Sequence, residues 1–233
     1  MAALSYADDH ASQQGQAFPV YGMANNFEVS NPAGALAAVR TFMASPAAKA
    51  FPGNVIFNEV VADGDMAGSH SLNVFYPSPE AMGQIINSDQ PPAEALAFFM
   101  SMQASAEPIG SSVFRMLRGH GLSSAPGTLT MIIQLEVTDG ASFSKAFDKL
   151  WGSDSFQNFP GGVYFGDFMA NGDNPSTHWI SFVAKDMATL GQGMDEVQGS
   201  KDMATYLKDA NSFRNYGGRA LFRTIQSMAA GGS

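Results

Sequence analysis

Apolar and polar side chains alternate over two stretches of the chain, in the manner of half-buried β-strands. The clearer stretch is residues 128–137, where every second position is apolar: Leu129, Met131, Ile133, Leu135 and Val137. Residues 20–29 form the other stretch. The alternation predicts a strand in each place, with one apolar face and one mostly polar face.

The chain contains an internal sequence repeat in two copies. With a constant shift of 108 positions and no gaps, residues 20–117 lie over residues 128–225. The match is densest where Phe51-Pro52-Gly53 falls on Phe159-Pro160-Gly161. Its polar identities include Glu28 and Glu136, Asp65 and Asp173, His70 and His178, Gln84 and Gln192, and Arg115 and Arg223. A shift that holds over this length indicates two copies of one fold.

Each copy predicts the order β-α-β-β-α-β. The strands are expected at 20–29, 54–61, 69–76 and 112–117, and again at 128–137, 162–169, 177–184 and 219–225. Helices follow the first and third strands, and the second helical region is interrupted at 89–92 in copy one and at Gly199-Ser200 in copy two. Right-handed crossovers then give an antiparallel four-stranded sheet of order 4-1-3-2 with both helices on one face.

The fold class is therefore α+β, built from two tandem ferredoxin-like βαββαβ repeats. We expect a flexible tail at 1–18, a first repeat at 19–118, a linker at 119–127, a second repeat at 128–228 and a flexible tail at 229–233. The face of each sheet that carries no helices is left bare, so the two sheets are expected to pack together as an α+β barrel with a closed core.

Composition narrows the function. The 233 residues include 12 basic and 21 acidic residues, a net charge of −9, which disfavours nucleic acid and anionic lipid. No apolar run is long enough to span a membrane. The chain has no cysteine, which excludes disulfides and thiolate metal sites. Aromatic residues make up 11% of the chain and Met numbers 14, so burial of apolar area in a homo-oligomer is expected. Composition does not identify the cellular compartment, although a cytoplasmic, bacterial-type protein is favoured.

A family resemblance rests on Pro52-Gly53 before a strand and on the segment Asn73-Val74-Phe75-Tyr76-Pro77-Ser78-Pro79-Glu80-Ala81-Met82. The segment resembles the strand-then-W-x-S-x-E-A pattern of the antibiotic-biosynthesis-monooxygenase-like proteins, within the dimeric α+β barrel superfamily, with Tyr76 in place of the usual Trp. The resemblance implies that fold and a ligand between the sheet and the helices. The superfamily includes cofactor-independent oxygenases of aromatic polyketides, haem-degrading enzymes and isomerases.

The repeated polar residues are the candidate site. We expect Glu28, His70 and Arg115 at one end of the first sheet, and Glu136, His178 and Arg223 at the corresponding end of the second. Such a group could bind an anionic or enolizable ligand, with His70 or His178 as general base. The alternative is structural: Glu and Arg form cross-strand ion pairs, and each His hydrogen-bonds a loop.

Other chemistries lack support. The four histidines are scattered, without a pair at metal-ligand spacing, so no metal site is predicted. No phosphate-binding glycine motif or G-x-S-x-G elbow occurs, and no cofactor is expected.

Two functions remain open. One is a cofactor-independent, monooxygenase-like enzyme that acts on an apolar or aromatic small molecule. The other is a non-catalytic structural or ligand-carrier module. Residues expected to line a pocket differ between the copies, with Ala24 and Asn26 in one and Ile132 and Gln134 in the other. This difference predicts a site in one half.

Overall fold

A computed structural model describes residues 18–62 and 68–232. Their strands form a closed antiparallel barrel in the order β1-β3-β2-β8-β5-β7-β6-β4. The strands are β1 (Val20–Val29), β2 (Asn54–Ala62), β3 (His70–Tyr76), β4 (Ala106–Gly121), β5 (Leu129–Val137), β6 (Gly162–Ala170), β7 (His178–Ala184) and β8 (Arg214–Met228).

Helices surround the barrel. They are α1 (Pro32–Met43), α2 (Pro46–Lys49), α3 (Pro79–Ile86), α4 (Ala93–Gln103), α5 (Gly140–Trp151), α6 (Asp154–Gln157), α7 (Met187–Gly199) and α8 (Lys201–Ala210). Local sequence explains where they begin. The side chains of Asn31, Ser78 and Asp139 accept hydrogen bonds from the first free N–H groups of α1, α3 and α5. The interrupted second helical region of each copy is confirmed, as α3 and α4 and as α7 and α8.

The two halves of the chain have the same strand order, β4-β1-β3-β2 and β8-β5-β7-β6. This is the order 4-1-3-2 expected from the sequence. The halves join at two places, which we call the seams: β2 pairs with β8, and β4 pairs with β6. Both seams are antiparallel, and together they close the barrel.

The packed core lies between the barrel wall and the helices, because alternate residues of each strand face outward. In the second half, Phe143 and Phe147 of α5 pack against Phe165 of β6. In the first half, Val39 of α1 and Phe57 of β2 belong to the equivalent cluster. Each fully buried side chain of this size contributes roughly 1.5–3 kcal/mol to stability.

Two strands are longer than the sequence predicted. The last strand of copy one was expected at 112–117 and that of copy two at 219–225, but β4 has 16 residues and β8 has 15. The segments missed are rich in glycine and polar residues, and they pair mainly with one neighbour. As a result, β4 extends into the predicted linker at 119–127.

The predicted tails fall partly outside the described residues. The N-terminal tail at 1–18 lies beyond them except for its last residue. In the C-terminal tail, the Ala230 N–H donates to Asn54 Oδ1 at 2.7 Å, so this end of the chain contacts β2.

Candidate functional site: the barrel lumen

The inside of the barrel is a cavity of about 630 Å³. All eight strands contribute lining residues, among them Ala24 and Asn26 of β1 and Ile132 and Gln134 of β5. These four residues were expected to line a pocket, and they do. The cavity does not belong to one half, however, because the bare faces of both sheets enclose it. The closed core expected between the sheets is therefore a cavity, which we call the lumen.

Three glycines on the barrel wall make room for three large aromatic side chains. Each glycine stands opposite its aromatic partner on the neighbouring strand, and a Cβ on the glycine would collide with that ring. The pairs are Gly22 with Phe114, Gly119 with Tyr164, and Gly166 with Trp179. The rings thus lie close to the backbone of the wall instead of filling the space inside.

The aromatic rings form a continuous surface around the seam between β4 and β6, which we call the aromatic wall. Phe114 packs edge-to-face on Trp179, with ring centroids 5.6 Å apart, and on Phe75 at 5.5 Å. Tyr164 and Phe168 of β6 also line the lumen here. Edge-to-face pairs at these distances are favourable, so the wall is a stable surface for a flat apolar group.

The opposite seam, between β2 and β8, carries polar side chains beside the apolar Ile56, Phe222 and Met228. Asn58 Nδ2 donates to Ser71 Oγ at 3.3 Å, and the Thr224 hydroxyl donates to Asn58 Oδ1 at 3.0 Å. Asn73 of β3, the strand next to β2, and Asn26 of β1, one strand further round, also line the lumen. We call this surface the amide wall. It offers both hydrogen-bond donors and acceptors without charge.

Two buried polar atoms at the lumen have no hydrogen-bond partner among the described residues: the amide Oδ1 of Asn73 and the indole Nε1 of Trp179. The first accepts hydrogen bonds and the second donates them. A buried polar atom without a partner costs about 1–3 kcal/mol.

The lumen is almost uncharged. Among the described lining residues, the carboxylate of Asp173, in the turn between β6 and β7, is the one charged group. Burial raises the pKa of the Tyr164 hydroxyl, which keeps that group neutral and able to donate to the Leu122 carbonyl at 3.1 Å. An anionic ligand would find no opposite charge among the described lining residues, and a cationic ligand would find the carboxylate of Asp173 alone.

The two candidate histidines lie outside the lumen, under the helices. His70 stacks on Phe57 at 5.3 Å, and its Nδ1 is 3.2 Å from Ser69 Oγ. His178 stacks on Phe165 at 5.7 Å, and its Nδ1 is 2.9 Å from Thr177 Oγ1. Burial lowers the pKa of both imidazoles. Neither lines the lumen.

The candidate arginines form ion pairs across the seams. Arg115 of β4 binds Asp167 of β6, with Nε 2.9 Å from Oδ1, and Arg223 of β8 binds Glu59 of β2, with Nε 2.9 Å from Oε2. The two pairs correspond under the 108-residue shift. The structural alternative was thus right about ion pairs, but the carboxylates are different ones.

The grouping of Glu28 with Arg115, and of Glu136 with Arg223, was wrong. Arg115 stands opposite Tyr21 near the start of β1, whereas Glu28 stands opposite Glu107 near its end. Glu136 instead accepts a hydrogen bond from Asn215 at 2.9 Å. The grouping failed because β4 and β8 are much longer than expected, so their arginines do not lie at the strand starts.

Each histidine nevertheless has a carboxylate and a guanidinium in its row of the sheet. Glu59 stands between His70 and Arg223, and Asp167 stands between His178 and Arg115. These carboxylates are absent from the identities between the copies, because the shift exchanges Glu for Asp. Counting acidic residues as equivalent would have found them.

The described part of the chain has no cluster of three or more His, Cys, Asp or Glu that could hold a metal ion. Within the same residues, no helix has the length and apolar character to cross a membrane.

The fold has relatives among solved structures. A "putative monooxygenase" from Fusobacterium nucleatum has a TM-score of 0.63 at 13% identity, with 92% of this chain and 96% of that chain covered. A "putative monooxygenase" from Lactobacillus acidophilus NCFM has a TM-score of 0.56 at 14% identity, covering 91% and 99%. An "anthrone oxidase-like protein" has a TM-score of 0.61 at 10% identity, covering 94% and 95%.

Sequence comparisons add no closer relative. No protein-family model and no curated protein matches the chain. At 10–14% identity, the solved structures show a common fold and not a common activity. The resemblance noted in the sequence is confirmed at this level: the chain has the fold of the dimeric α+β barrel superfamily.

Proposed function

We propose that this protein binds a neutral, partly aromatic small molecule in the lumen of its barrel. The observation that carries the proposal is the cavity itself, about 630 Å³ between an aromatic wall and an amide wall. Ligand sites in proteins commonly have volumes of roughly 300–1,000 Å³ and combine apolar surface with a few polar groups.

The construction of the aromatic wall supports a binding role. A barrel of eight strands is just wide enough for side chains to fill its interior. Here Gly22, Gly119 and Gly166 let the largest rings sit against the wall, which leaves the middle open. An open interior of this size lacks the packing contacts that stabilise ordinary cores, so a ligand would supply them.

The polar groups narrow the ligand class. Amides and hydroxyls without charge favour neutral hydroxyl or carbonyl groups. The unpartnered Asn73 Oδ1 would gain from a ligand hydroxyl, and Trp179 Nε1 from a ligand carbonyl. The sequence predicted an apolar or aromatic ligand. From the amide wall we expect this ligand also to carry hydroxyl or carbonyl groups along one edge.

Ligand binding can be tested by thermal shift with a panel of neutral aromatic phenols, ketones and quinones. Any ligand found is then titrated against Ala24→Phe, which places a ring in the lumen, and against Ala204→Phe, the same change at an exposed position of α8. We expect the ligand to stabilise the wild type and Ala204→Phe but not Ala24→Phe. Equal binding to all three would overturn the lumen as the site.

Oxygenation of the bound molecule is the second candidate function. The names of the structural relatives favour it: two are described as monooxygenases and one as anthrone oxidase-like. In such a reaction, an aromatic methylene and O₂ would give a carbonyl and water. Incorporation of one ¹⁸O atom from ¹⁸O₂ into a panel compound, measured by mass spectrometry, would support it. Binding without turnover would leave the carrier function.

A catalytic role for His70 and His178 stays a prediction. It requires a substrate on the outer side of the sheet, since both imidazoles lie there. His70→Ala and His178→Ala should abolish turnover if the prediction is right. If turnover falls in Ala24→Phe but not in the histidine variants, the chemistry takes place in the lumen.

We also propose that the two halves, 19–118 and 128–228, are tandem ferredoxin-like units. The 108-residue shift and the common strand order support this division. Expression of each half alone tests it, because a unit with a bare sheet should fold only as a dimer or in the presence of the other half.

A further inference from the structure

The lumen borders solvent at the end of the barrel where the turn between β6 and β7 lies. Ile109, Gly110 and Ser111 of β4 line the lumen at this end, and so do residues 171–174 of the turn. Most of these lining residues are exposed, and Ile109 is 44% exposed. We call this opening the mouth of the lumen.

The opposite end of the lumen is bordered by the segment between β4 and β5, which is bound to the barrel. The Tyr164 hydroxyl donates to the Leu122 carbonyl at 3.1 Å, and Ser124 Oγ is 3.3 Å from Thr130 Oγ1. Tyr164, Ser124 and Thr130 all line the lumen. A ligand that entered there would have to break these hydrogen bonds, so the mouth is the easier route.

Ile109 is the extra residue of a β-bulge at the mouth. The pairing of β1 with β4 shifts between Asn26 and Phe27, which leaves Ile109 opposite no residue of β1. A bulge at the rim of a barrel commonly redirects a side chain. Here Ile109 Cδ1 lies 3.1 Å from the position that a Cβ on Gly68 would take. The isoleucine side chain therefore lies beside the end of β1, in space that the absence of a side chain on Gly68 leaves open.

The second half has the same bulge with a different residue. Its extra residue is Gly217, which corresponds to Ile109 under the 108-residue shift. A Cβ on Gly217 would collide with the hydroxyl of Ser176, and Ser176 corresponds to Gly68. The fold therefore needs one side chain at this corner and accepts a serine from the turn. A large apolar residue on the bulge is not required by the fold.

The turn between β6 and β7 is held in place at the mouth. Asn174 Nδ2 donates to Gln134 Oε1 at 3.0 Å, and Asn174 Oδ1 accepts from the Ser176 N–H at 2.9 Å. The Ile109 side chain, in contrast, has no polar atom and forms no hydrogen bond. Exposed side chains change rotamer within picoseconds to nanoseconds. Ile109 can therefore move while the turn beside it stays fixed.

We propose that Ile109 is a gate residue that sets the rate at which a ligand enters and leaves the lumen. The inference rests on the proposed function, since the molecule that passes the gate is the lumen ligand. A gate acts on the passage and not on the bound state. It therefore changes the association and dissociation rate constants by the same factor and leaves Kd unchanged.

Quenching of Trp179 fluorescence by acrylamide tests the gate without any ligand. Trp179 lines the lumen and is 7% exposed, and Trp151→Phe in the parent and in every variant removes the other tryptophan. The test variants are Ile109→Ala and Ile109→Phe. The matched control is Met169→Ala, because Met169 lies at the same end of the barrel on the outer side of β6 and is 58% exposed.

The expected quenching has opposite signs in the two test variants. The quenching rate constant should rise in Ile109→Ala, fall in Ile109→Phe and stay at the parent value in Met169→Ala. A general loosening of the fold would raise it in both test variants, so the fall in Ile109→Phe distinguishes a gate from misfolding. Unchanged quenching in Ile109→Ala, or an equal rise in Met169→Ala, would overturn the gate.

Stopped-flow binding of prodan, a fluorescent neutral aromatic ketone, measures the same gate with a ligand. We expect Ile109→Ala to raise both rate constants about 10-fold, within the roughly 1–3 decades over which association rates vary among variants of one site, with Kd unchanged. A change in Kd at unchanged rates of association would overturn the gate even where prodan binds. Quenching that follows Ile109, in a protein that binds neither prodan nor the panel compounds, would support the gate and overturn the proposed function.

Discussion

The ring of Phe114 occupies the space that a side chain on Gly22, its neighbour on β1, would need. Phe114 is 7% exposed and holds Phe75 and Trp179 by edge-to-face contacts. The absence of one side chain on β1 thereby sets the position of three rings. The aromatic wall of the lumen depends on this glycine.

Gly22→Ala should therefore destabilise the protein and disturb the lumen. An added methyl group in a packed site commonly costs about 1–3 kcal/mol. Urea denaturation would measure this cost, and the near-ultraviolet circular dichroism of Trp179 would report the displaced rings. Gly191→Ala in α7 is the control, because no atom stands within 4 Å of a Cβ there. Alanine in a helix is favoured by up to about 1 kcal/mol, so the control should be neutral or stabilised.

The two ion pairs across the seams should differ in strength. The Asp167 side chain is 17% exposed, whereas that of Glu59 is 36% exposed. Water screens the second pair more, and exposed pairs contribute about 0–1 kcal/mol. We expect Asp167→Asn to lower the free energy of unfolding by about 1.5 kcal/mol, the low end of the roughly 1.5–3 kcal/mol range for hydrogen bonds to charged groups, and Glu59→Gln by less. Urea denaturation at low and at high salt measures both variants. An equal loss of unfolding free energy in Asp167→Asn and Glu59→Gln would contradict the expected difference between the two ion pairs.

Acid should destabilise the fold through its buried histidines. Burial lowers the pKa of His70 below its ordinary value of 6.5, although the nearby Glu59 and Glu28 carboxylates act in the opposite direction. Burial lowers the pKa of His178 too, with Asp167 opposing and Arg115 reinforcing the effect. Between 6.5 and these lowered values the unfolded chain binds more protons than the folded one, so stability declines as pH falls.

His70→Gln removes one of these groups. The free energy of unfolding of this variant should fall less steeply than that of the wild type between about pH 6.5 and pH 5. Thermal or urea unfolding at half-unit steps of pH would measure both slopes. A steeper slope in the variant would show that His70 is protonated in the folded protein.

The amide wall should depend on Asn58. Its amide group links Ser71 on β3 to Thr224 on β8, and all three side chains are buried. Asn58→Leu keeps the branched shape of the side chain but leaves both hydroxyls without this partner, which should cost about 1–3 kcal/mol. The exposed Asn215→Leu, which loses one surface hydrogen bond to Glu136, should cost less. Urea denaturation of the two variants compares them directly.

The strands and helices of this molecule were predicted from the sequence better than its lumen was. Strand alternation, as in Leu129 to Val137, and the 108-residue shift were sufficient for the strand order and the interrupted helices. Both signals are local or repeated, so each prediction could be checked in the other copy. The long ends of β4 and β8 were missed because pairing with a single neighbour imposes no strict alternation.

The lumen could not be predicted, because its openness depends on distances between strands that are far apart in the chain. Gly22 and Phe114 are 92 positions apart in the sequence, and no local pattern marks Gly22 as the space for that ring. The ion-pair partners Glu59 and Asp167 were within reach of the sequence. They are not identities under the 108-residue shift, because one is Glu and the other is Asp.

Asn58 and Gly166 are the same position in the two halves, separated by 108 residues. One links strands across the amide wall, and the other makes room for Trp179 in the aromatic wall. A barrel assembled from two identical chains would have to carry one residue type at both places, so its interior would be symmetric. A barrel in which both halves belong to one polypeptide is free of that requirement. Its interior can therefore distinguish the two ends of a molecule, and hold an unsymmetrical ligand in a single orientation.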